Sequence, residues 1–321
     1  MVRFTVLASG SKGNSTVVSG GRTRILVDAG LSCKELFRRM RLVEEEPETL
    51  DAILITHEHS DHVSGLAVTA RKLGIPVYFT EGTHRAWMRW LTPRRQMTYA
   101  QWLEQCRKQA AERQAEALTA SEEGEPDETD LPAESVAAAD DPASASPAAA
   151  KDPTWLPAVQ YFQAGQPFEI GDIAVSPFTI PHDAADPVGF VFMAERVRMA
   201  LATALGYISP NVKAQLKGLD LLLLESNHDL EMLRDGPYPW SVKQRVLSRV
   251  GHLSNEAAAA FLEDGYDGQA AYVILAHLSE SNNLPELARV TAERALNGRA
   301  SLLANRLLLA EQNESLFPIC F

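Results

Sequence analysis

The sequence predicts an α/β sandwich, an αββα arrangement in which two mixed β-sheets stack face to face with helices on the outer sides. Three observations carry that prediction. Short apolar runs of strand length recur in both halves of the 321-residue chain. Segments with helical apolar spacing lie between and after them. A stretch of quite different composition separates the halves, so each half reads as its own set of strands followed by helices.

Taken in order, Phe4 to Leu7 is strand-like and runs into the turn-rich Ser9-Gly10-Ser11-Lys12-Gly13-Asn14. Arg24 to Asp28 and Ala52 to Thr56 read as buried strands, and Val63 to Leu73 as an amphipathic helix. Gly82 to Ala117 begins with apolar residues at helical spacing (Trp87, Trp90, Leu91) and continues as a polar helical arm. From about Ser121 to Asp152 the chain is Ala, Glu, Asp, Ser and Pro with almost no aromatic or β-branched residues. Such a segment buries too little apolar surface to offset its ordering entropy and reads as a loosely ordered insertion. Beyond it, Phe168 to Phe178, Gly189 to Met193 and Met199 to Thr203 form a strand series, with Leu221 to Leu224 and Tyr272 to Leu275 as further buried strands. Val242 to Val250, Asn255 to Leu262 and Leu284 to Ala295 read as helices. The expected organisation is one domain in two pieces, residues 1–103 and 158–321, interrupted by an arm and acidic insertion over 104–157.

Composition is that of a globular protein, 45% hydrophobic and 22% charged. No apolar run reaches the roughly 18 to 20 residues of a membrane span, and Met1 to Leu7 does not read as a signal peptide. Cys33, Cys106 and Cys320 are odd in number and far apart, which suggests neither a disulfide framework nor a cysteine-rich zinc site. A reducing cytoplasm is the expected compartment. The net charge of −12 is uneven: Glu104 to Asp152 holds 13 acidic and 4 basic residues, a balance of −9, leaving about −3 elsewhere. A polyanionic substrate is therefore compatible with the chain, because local fields and bound metals govern a site. The acidic insertion is a candidate tether for a protein partner.

The strongest chemical signal is Thr56-His57-Glu58-His59-Ser60-Asp61-His62, directly after a buried strand and before a helix. Four potential ligands within six residues at a strand end converge only where the chain turns sharply. Neutral imidazoles and carboxylates suit zinc, and also manganese or iron. Against this stands the reading of a polar loop that merely contains three histidines. The Ser9 to Asn14 turn offers amides and hydroxyls that could bind phosphate, though a plain strand connection fits it equally. Trp87 and Trp90 could stack on bases, with helix core the favoured reading. His84 reads as an ordinary surface residue.

The His-x-His-x-Asp-His pattern resembles the signature of the metallo-β-lactamase superfamily, which implies the metallo-β-lactamase fold. Asp28-Ala29-Gly30 fits that superfamily's early aspartate, which buttresses the histidine loop. Pro181-His182-Asp183 and Ala276-His277-Leu278-Ser279 fit its later histidines. Together with Ser9 to Asn14, Glu225-Ser226-Asn227-His228-Asp229, Gly251-His252-Leu253-Ser254-Asn255 and Asn282-Asn283, the set is similar to the YycJ/WalJ-type exonucleases, relatives of RNase Z and RNase J. The likeness runs from about residue 3 to residue 295, apart from the insertion. It implies 5′-to-3′ degradation of DNA, with RNA as a second substrate, by two divalent metal ions, zinc or manganese. By the same resemblance His57, His59 and His182 hold one metal, and Asp61, His62 and His277 the other. Asp61 also orients the attacking water, and His252, oriented by Glu225, acts on the scissile phosphate or leaving group. Ser9, Ser11, Asn14, Ser279, Asn282 and Asn283 are candidates for phosphate contacts; helix capping is the rival reading for Ser279, Asn282 and Asn283. For His228 and Asp229 a supporting role beside Glu225 is expected.

The pattern breaks at one position. Where the family has a metal-bridging aspartate in Leu-Ala-Thr-Asp-x-Gly, this chain reads Leu201-Ala202-Thr203-Ala204-Leu205-Gly206. Ala204 has no donor atom, and Glu195 and Asp220 lie on other predicted elements. The second metal site is therefore expected to be weakened and the chain inactive or impaired. An inactivating substitution, a natural one-metal or inactive relative, and a shifted correspondence in this strand all remain open. Two other readings stay beside the nuclease: a hydrolase of a small ester, lactone or thioester on the same fold, and a non-catalytic nucleic-acid-binding protein.

Overall fold

The computed structural model describes residues 1–92, 152–297 and 306–321. The chain divides into two units, Met1–Leu91 with Pro147–Phe321, and Thr92–Ser146. The elements below belong to the first. The polar half of the expected arm and nearly all of the insertion lie outside the described residues. Asp152 to Pro157, at the insertion's far end, belong to the first unit: Leu156 is buried, and the Arg71 guanidinium donates to the Asp152, Pro153 and Trp155 carbonyls.

Among the described residues, each of two sheets has seven strands. The first is ordered β14-β1-β2-β3-β4-β5-β6, with β1 Arg3–Ala8, β2 Ser15–Ser19, β3 Arg24–Val27, β4 Ala52–Leu54, β5 Val77–Phe79, β6 Val159–Tyr161 and β14 Ile319–Cys320. The second is ordered β13-β12-β11-β10-β9-β8-β7, with β7 Phe168–Ile170, β8 Ile173–Thr179, β9 Val188–Ala194, β10 Val197–Ala202, β11 Leu221–Glu225, β12 Tyr272–Ala276 and β13 Arg306–Leu309. Strands β3 to β6 run parallel to one another, as do β10 to β13, while the remaining pairs are antiparallel. Both sheets are thus mixed.

Alternation along the strands explains why their sequences are apolar throughout. Ile25, Val27, Leu54, Phe190, Leu201, Leu223 and Ile274 pack between the sheets. Their neighbours point the other way: Leu26 and Ile53 meet a helical layer that includes Leu36, Met40, Leu66 and Trp87, while Leu222, Leu224 and Leu275 meet Ala258, Leu262, Ala288 and Ala292. Strands covered on both faces carry continuous apolar runs. The helices on the first side are α1 Cys33–Leu42, α2 Ser60–Val63, α3 Leu66–Leu73 and α4 Glu81–Leu91. On the second they are α5 Pro210–Gln215, α6 Leu230–Asp235, α7 Trp240–Val246, α8 Asn255–Ala260 and α9 Pro285–Asn297. The four-layer αββα architecture of the metallo-β-lactamase fold is what the sequence predicts. No helix among the described residues is long and apolar enough to cross a membrane.

Three local expectations change. Phe168 to Phe178 is a hairpin, β7 and β8, turned at Gly171, whose φ of 57° lies in the left-handed region. The helix read over Val63 to Leu73 is two helices, parted at Gly65, whose N–H donates to the Ala29 carbonyl. His84 is buried, stacked on Phe79 and Trp87 and bonded through Nδ1 to the Tyr161 hydroxyl at 2.8 Å. The face of α4 that docks carries it inward, which the sequence around His84 does not reveal.

Candidate metal centre

Parallel strands deliver their C-terminal ends to one place, and polar residues follow each end. Register sets the neighbours: Val27 is opposite Leu54, Leu201 opposite Leu223, and Glu225 opposite Ala276. Asp28 follows β3, Thr56 to His62 follow β4, Ala204 follows β10, Glu225 ends β11 and His277 follows β12. Asp28, Ala204 and His277 have φ of 59°, 58° and 59°. A non-glycine residue there is uncommon and costs about 1–2 kcal/mol, least for aspartate and asparagine. Ala204 bears the strain with no polar side chain to offset it.

Six of the eight histidines gather in two groups and a flank. Donor atoms of His57, His59 and His182 lie within 4.8 Å of one another, as do those of Asp61, His62 and His277. The ring nitrogens are sorted by their partners. His57 Nδ1 lies 3.0 Å from Thr56 Oγ1, and His182 Nδ1 lies 3.1 Å from the Gly251 carbonyl. His62 Nδ1 lies 2.7 Å from Asp28 Oδ2 and His277 Nδ1 2.6 Å from Glu225 Oε1. Each acceptor holds the Nδ1 proton and turns Nε2 toward the cluster. There His182 Nε2 sits 3.2 Å from His59 Nδ1, and His277 Nε2 sits 3.3 Å from Asp61 Oδ2. Asp28 also accepts from the Thr56 amide and hydroxyl, which pins the start of the histidine loop. The loop is packed closely against Gly30, where a β-carbon would run into the Asp61 carbonyl.

Electrostatics distinguish the two groups. Burial pushes His57 well below the ordinary imidazole range, and pushes His59 down and His182 to about 4, so all three are neutral ligands-in-waiting at physiological pH. Burial also works against charge on His62 and His277. There the Asp61 and Asp28 carboxylates beside His62 prevail and hold it up at about 10, while Asp61 and Glu225 hold His277 up at about 9. Asp61 is desolvated as well, yet His62 and His277 keep its carboxyl far below the usual range. Positive charge is thus built into the second group by protons, in a place framed by three carboxylates. The first donor set fits a divalent cation with neutral nitrogens; the second offers one carboxylate and two imidazoles that would give up protons to it.

Glu225 joins the second group to its surroundings. Fully buried, it accepts from the Ala204, Leu205 and Leu253 amides and from His252 Nδ1 and His277 Nδ1 at 3.2, 2.7, 3.0, 2.9 and 2.6 Å. Ala204 therefore stands beside His252 and His277 on the same carboxylate. Glu195 and Asp220 are far from it along the sheet. Glu195 bonds the N-terminal amine at the β9–β10 turn, and Asp220 accepts from the Arg198 amide at the opposite end of β11.

A cavity of about 530 Å³ opens over this cluster, lined by His57, Asp61, His182, His252 and His277 among others. Of the residues expected near phosphate, Ser11 and Ser279 line it. Ser9, Asn14 and Asn283 are occupied elsewhere. Ser9 Oγ accepts the His277 amide, and the Asn14 amide group donates to Asp61 Oδ2 at 3.0 Å, so both serve the cluster from behind. Asn283 is buried and bonded to the Ser226 and Asn227 carbonyls, to Asn255 and to the Leu284 amide; Asn282 is buried as well. Asp229 caps α6 through the Met232 amide, and His228 is buried with neither ring nitrogen bonded to the protein. Residues that the sequence does not mark as part of the site also line the cavity: Tyr238, Val242, Arg245 and Val246 from the segment carrying α7. Arg245 pairs with Asp183, which no local motif announces.

Comparison with known proteins agrees with this geometry. The sequence matches the metallo-beta-lactamase superfamily family over residues 8–140 and the beta-lactamase superfamily domain over residues 122–278. It is 35% identical over 297 residues to the exodeoxyribonuclease YycJ of Bacillus anthracis, covering 92% of this chain and 89% of that protein. It is 33% identical over 289 residues to the exodeoxyribonuclease WalJ of Streptococcus pneumoniae, covering 90% and 86%. Among solved structures, the metallo-beta-lactamase fold protein YhfI from Bacillus subtilis is similar with a TM-score of 0.58 at 14% identity, over 98% of this chain and 99% of that one. That last likeness speaks to the fold.

Proposed function

The chain belongs to the metallo-β-lactamase superfamily and to its YycJ/WalJ group, and from that premise we propose that its site is a metal-dependent DNA exonuclease centre, acting from the 5′ end, in a copy whose activity is impaired by Ala204. The observation that carries the reading is the convergence of two three-residue donor groups with His252 at one cavity, which all of them but the buried His62 line. In this proposal His57, His59 and His182 hold one divalent ion, and Asp61, His62 and His277 the other. Zinc or manganese bound there would supply Lewis-acid stabilisation of the phosphate and of a nucleophilic water.

The chain's own residues do the rest. Asn14 fixes the Asp61 carboxylate through Oδ2, which positions Asp61 to orient the attacking water. Glu225 holds the proton on His252 Nδ1 and so fixes the imidazole ring at the cavity wall. Its Nε2 proton, facing the cavity, passes to the leaving oxygen. Arg245 neutralises Asp183 at the rim, which lessens repulsion of an incoming phosphate. Ser11 and Ser279 offer hydroxyls to the backbone of the strand.

Impairment is the reading that Ala204 favours. Its amide reaches Glu225 Oε1, so it stands within the cluster's frame, yet its methyl side chain ligates nothing. Without a carboxylate at this position the second group, whose imidazoles must also give up protons to a cation, would be weakened most. The test is digestion of a 5′-labelled DNA duplex with manganese by the Ala204→Asp form, beside a panel of thioesters and lactones. DNA cleavage with thioesters and lactones untouched is expected; thioester or lactone turnover with intact DNA would overturn the substrate assignment.

A further inference from the structure

Trp90 is a large apolar side chain left in solvent at the mouth of a polar site. Three residues earlier on the same helix, Trp87 is 1% exposed, stacked on His84 and tilted against Phe79, so α4 docks by that face. Trp90, on the next turn, is 60% exposed and lines the cavity that holds the metal-ligand groups. Half-buried Tyr238 lines the same cavity from the segment between α6 and α7. Away from the histidine cluster the cavity wall offers little to a polyanion: Glu58 and Asp183 face Arg245, which is already paired with Asp183. A strand held there needs contacts other than salt bridges, and every nucleobase presents a π-face to an aromatic ring.

We propose that Trp90, with Tyr238, is the platform on which a base at the end of the substrate strand stacks while its phosphate lies over the histidine cluster. The proposal rests on the nucleic-acid reading of the site and names the part of the substrate that these rings grip. Trp90 is then a positioning residue: it fixes which phosphate reaches the cluster and takes no part in proton transfer. Stacking on one ring changes affinity by roughly 5- to 150-fold.

The test is fluorescence anisotropy with a labelled single-stranded oligothymidylate and with the same strand made abasic at its terminal positions. The proteins are the full chain, Trp90→Ala, Trp90→Phe and Trp240→Ala. Trp240 is 66% exposed but lies off the cavity lining, so it controls for loss of a surface tryptophan. Trp90→Ala is expected to weaken binding of the intact strand by roughly 5- to 150-fold and to leave the abasic strand unchanged. Trp90→Phe should recover most of the loss, and Trp240→Ala should bind like the parent. Equal binding of the intact strand with and without Trp90, or equal weakening of both strands, would overturn the stacking role while leaving the nuclease reading intact. Failure of every form to bind either strand, together with no cleavage by Ala204→Asp, would remove both.

Discussion

Replacing Glu225 with glutamine changes one oxygen to an amide group and should be among the most damaging conservative substitutions in the chain. Glu225 Oε1 receives the Ala204 amide and the Nδ1 atoms of His252 and His277, while Oε2 receives the Leu205 and Leu253 amides. Glutamine offers one acceptor oxygen. Placed with its NH₂ toward Leu205 and Leu253, it leaves two buried N–H groups unpaired. Placed the other way, it confronts the Ala204 N–H and forces both histidines to move their protons to Nε2. Each orphaned buried donor costs about 1–3 kcal/mol, and loss of the charge beside His277 adds to this, so a destabilisation of about 3–5 kcal/mol is expected. The flipped alternative also removes the Nε2 lone pair of His277 that would face a cation. Urea unfolding near neutral pH, followed by far-ultraviolet circular dichroism and tryptophan fluorescence, reads the first effect as a lowered midpoint at unchanged slope. Manganese titration of the same protein reads the second. A loss below about 1 kcal/mol, with metal binding unchanged, would refute the view that Glu225 is the fully committed hub of the site.

Two further outcomes follow from the same network. Asp28→Asn removes the carboxylate beside His62 Nδ1 while keeping an acceptor for Thr56; in the metal-free protein His62 should then titrate closer to the ordinary imidazole range, visible by NMR, and stability should fall by about 3–5 kcal/mol. An unshifted His62 would count against the Asp28 account. Burial holds His228 down to about 4, so the folded protein refuses a proton that the unfolded chain accepts. Stability attributable to this residue is complete above the ordinary value of 6.5, falls as pH drops from there toward 4, and is reduced by about 3 kcal/mol at the end. His228→Phe should lose less stability than the parent between neutral pH and about pH 4.5 in urea titrations; parallel losses in the two proteins would contradict it.

Much of this site is legible in the sequence because its donors sit in short local patterns. His57, His59, Asp61 and His62 are spaced within one short segment, His182, Glu225 and His277 each close a recognisable strand-end phrase, and His252 sits in a short phrase between α7 and α8. Local sequence says less about where a side chain ends up once faces are chosen. The Ser9 and Asn14 polar groups read as free for phosphate, but the fold turns them inward onto His277 and Asp61. Asn283 is consumed by backbone groups of the loop after β11, a partner set assembled from residues some 57 positions away. Trp87 and Trp90 look alike in sequence, and only the docking of α4 makes one core and the other cavity wall. Ser15 to Ser19 does not read as a strand in the sequence, being short and ending in serines, yet it is buried throughout between β1 and β3. The Arg245–Asp183 pair spans 62 residues and had no local signature.

The central claim, a two-ion nuclease site made incomplete by Ala204, is tested most directly by measuring metal content and duplex digestion side by side in the chain as it stands and in Ala204→Asp. The account predicts about one tightly held ion per chain and little or no release of 5′-labelled nucleotide for the first, against about two ions and clear 5′-end digestion for the second. Equal metal content and equal digestion in both proteins would contradict it.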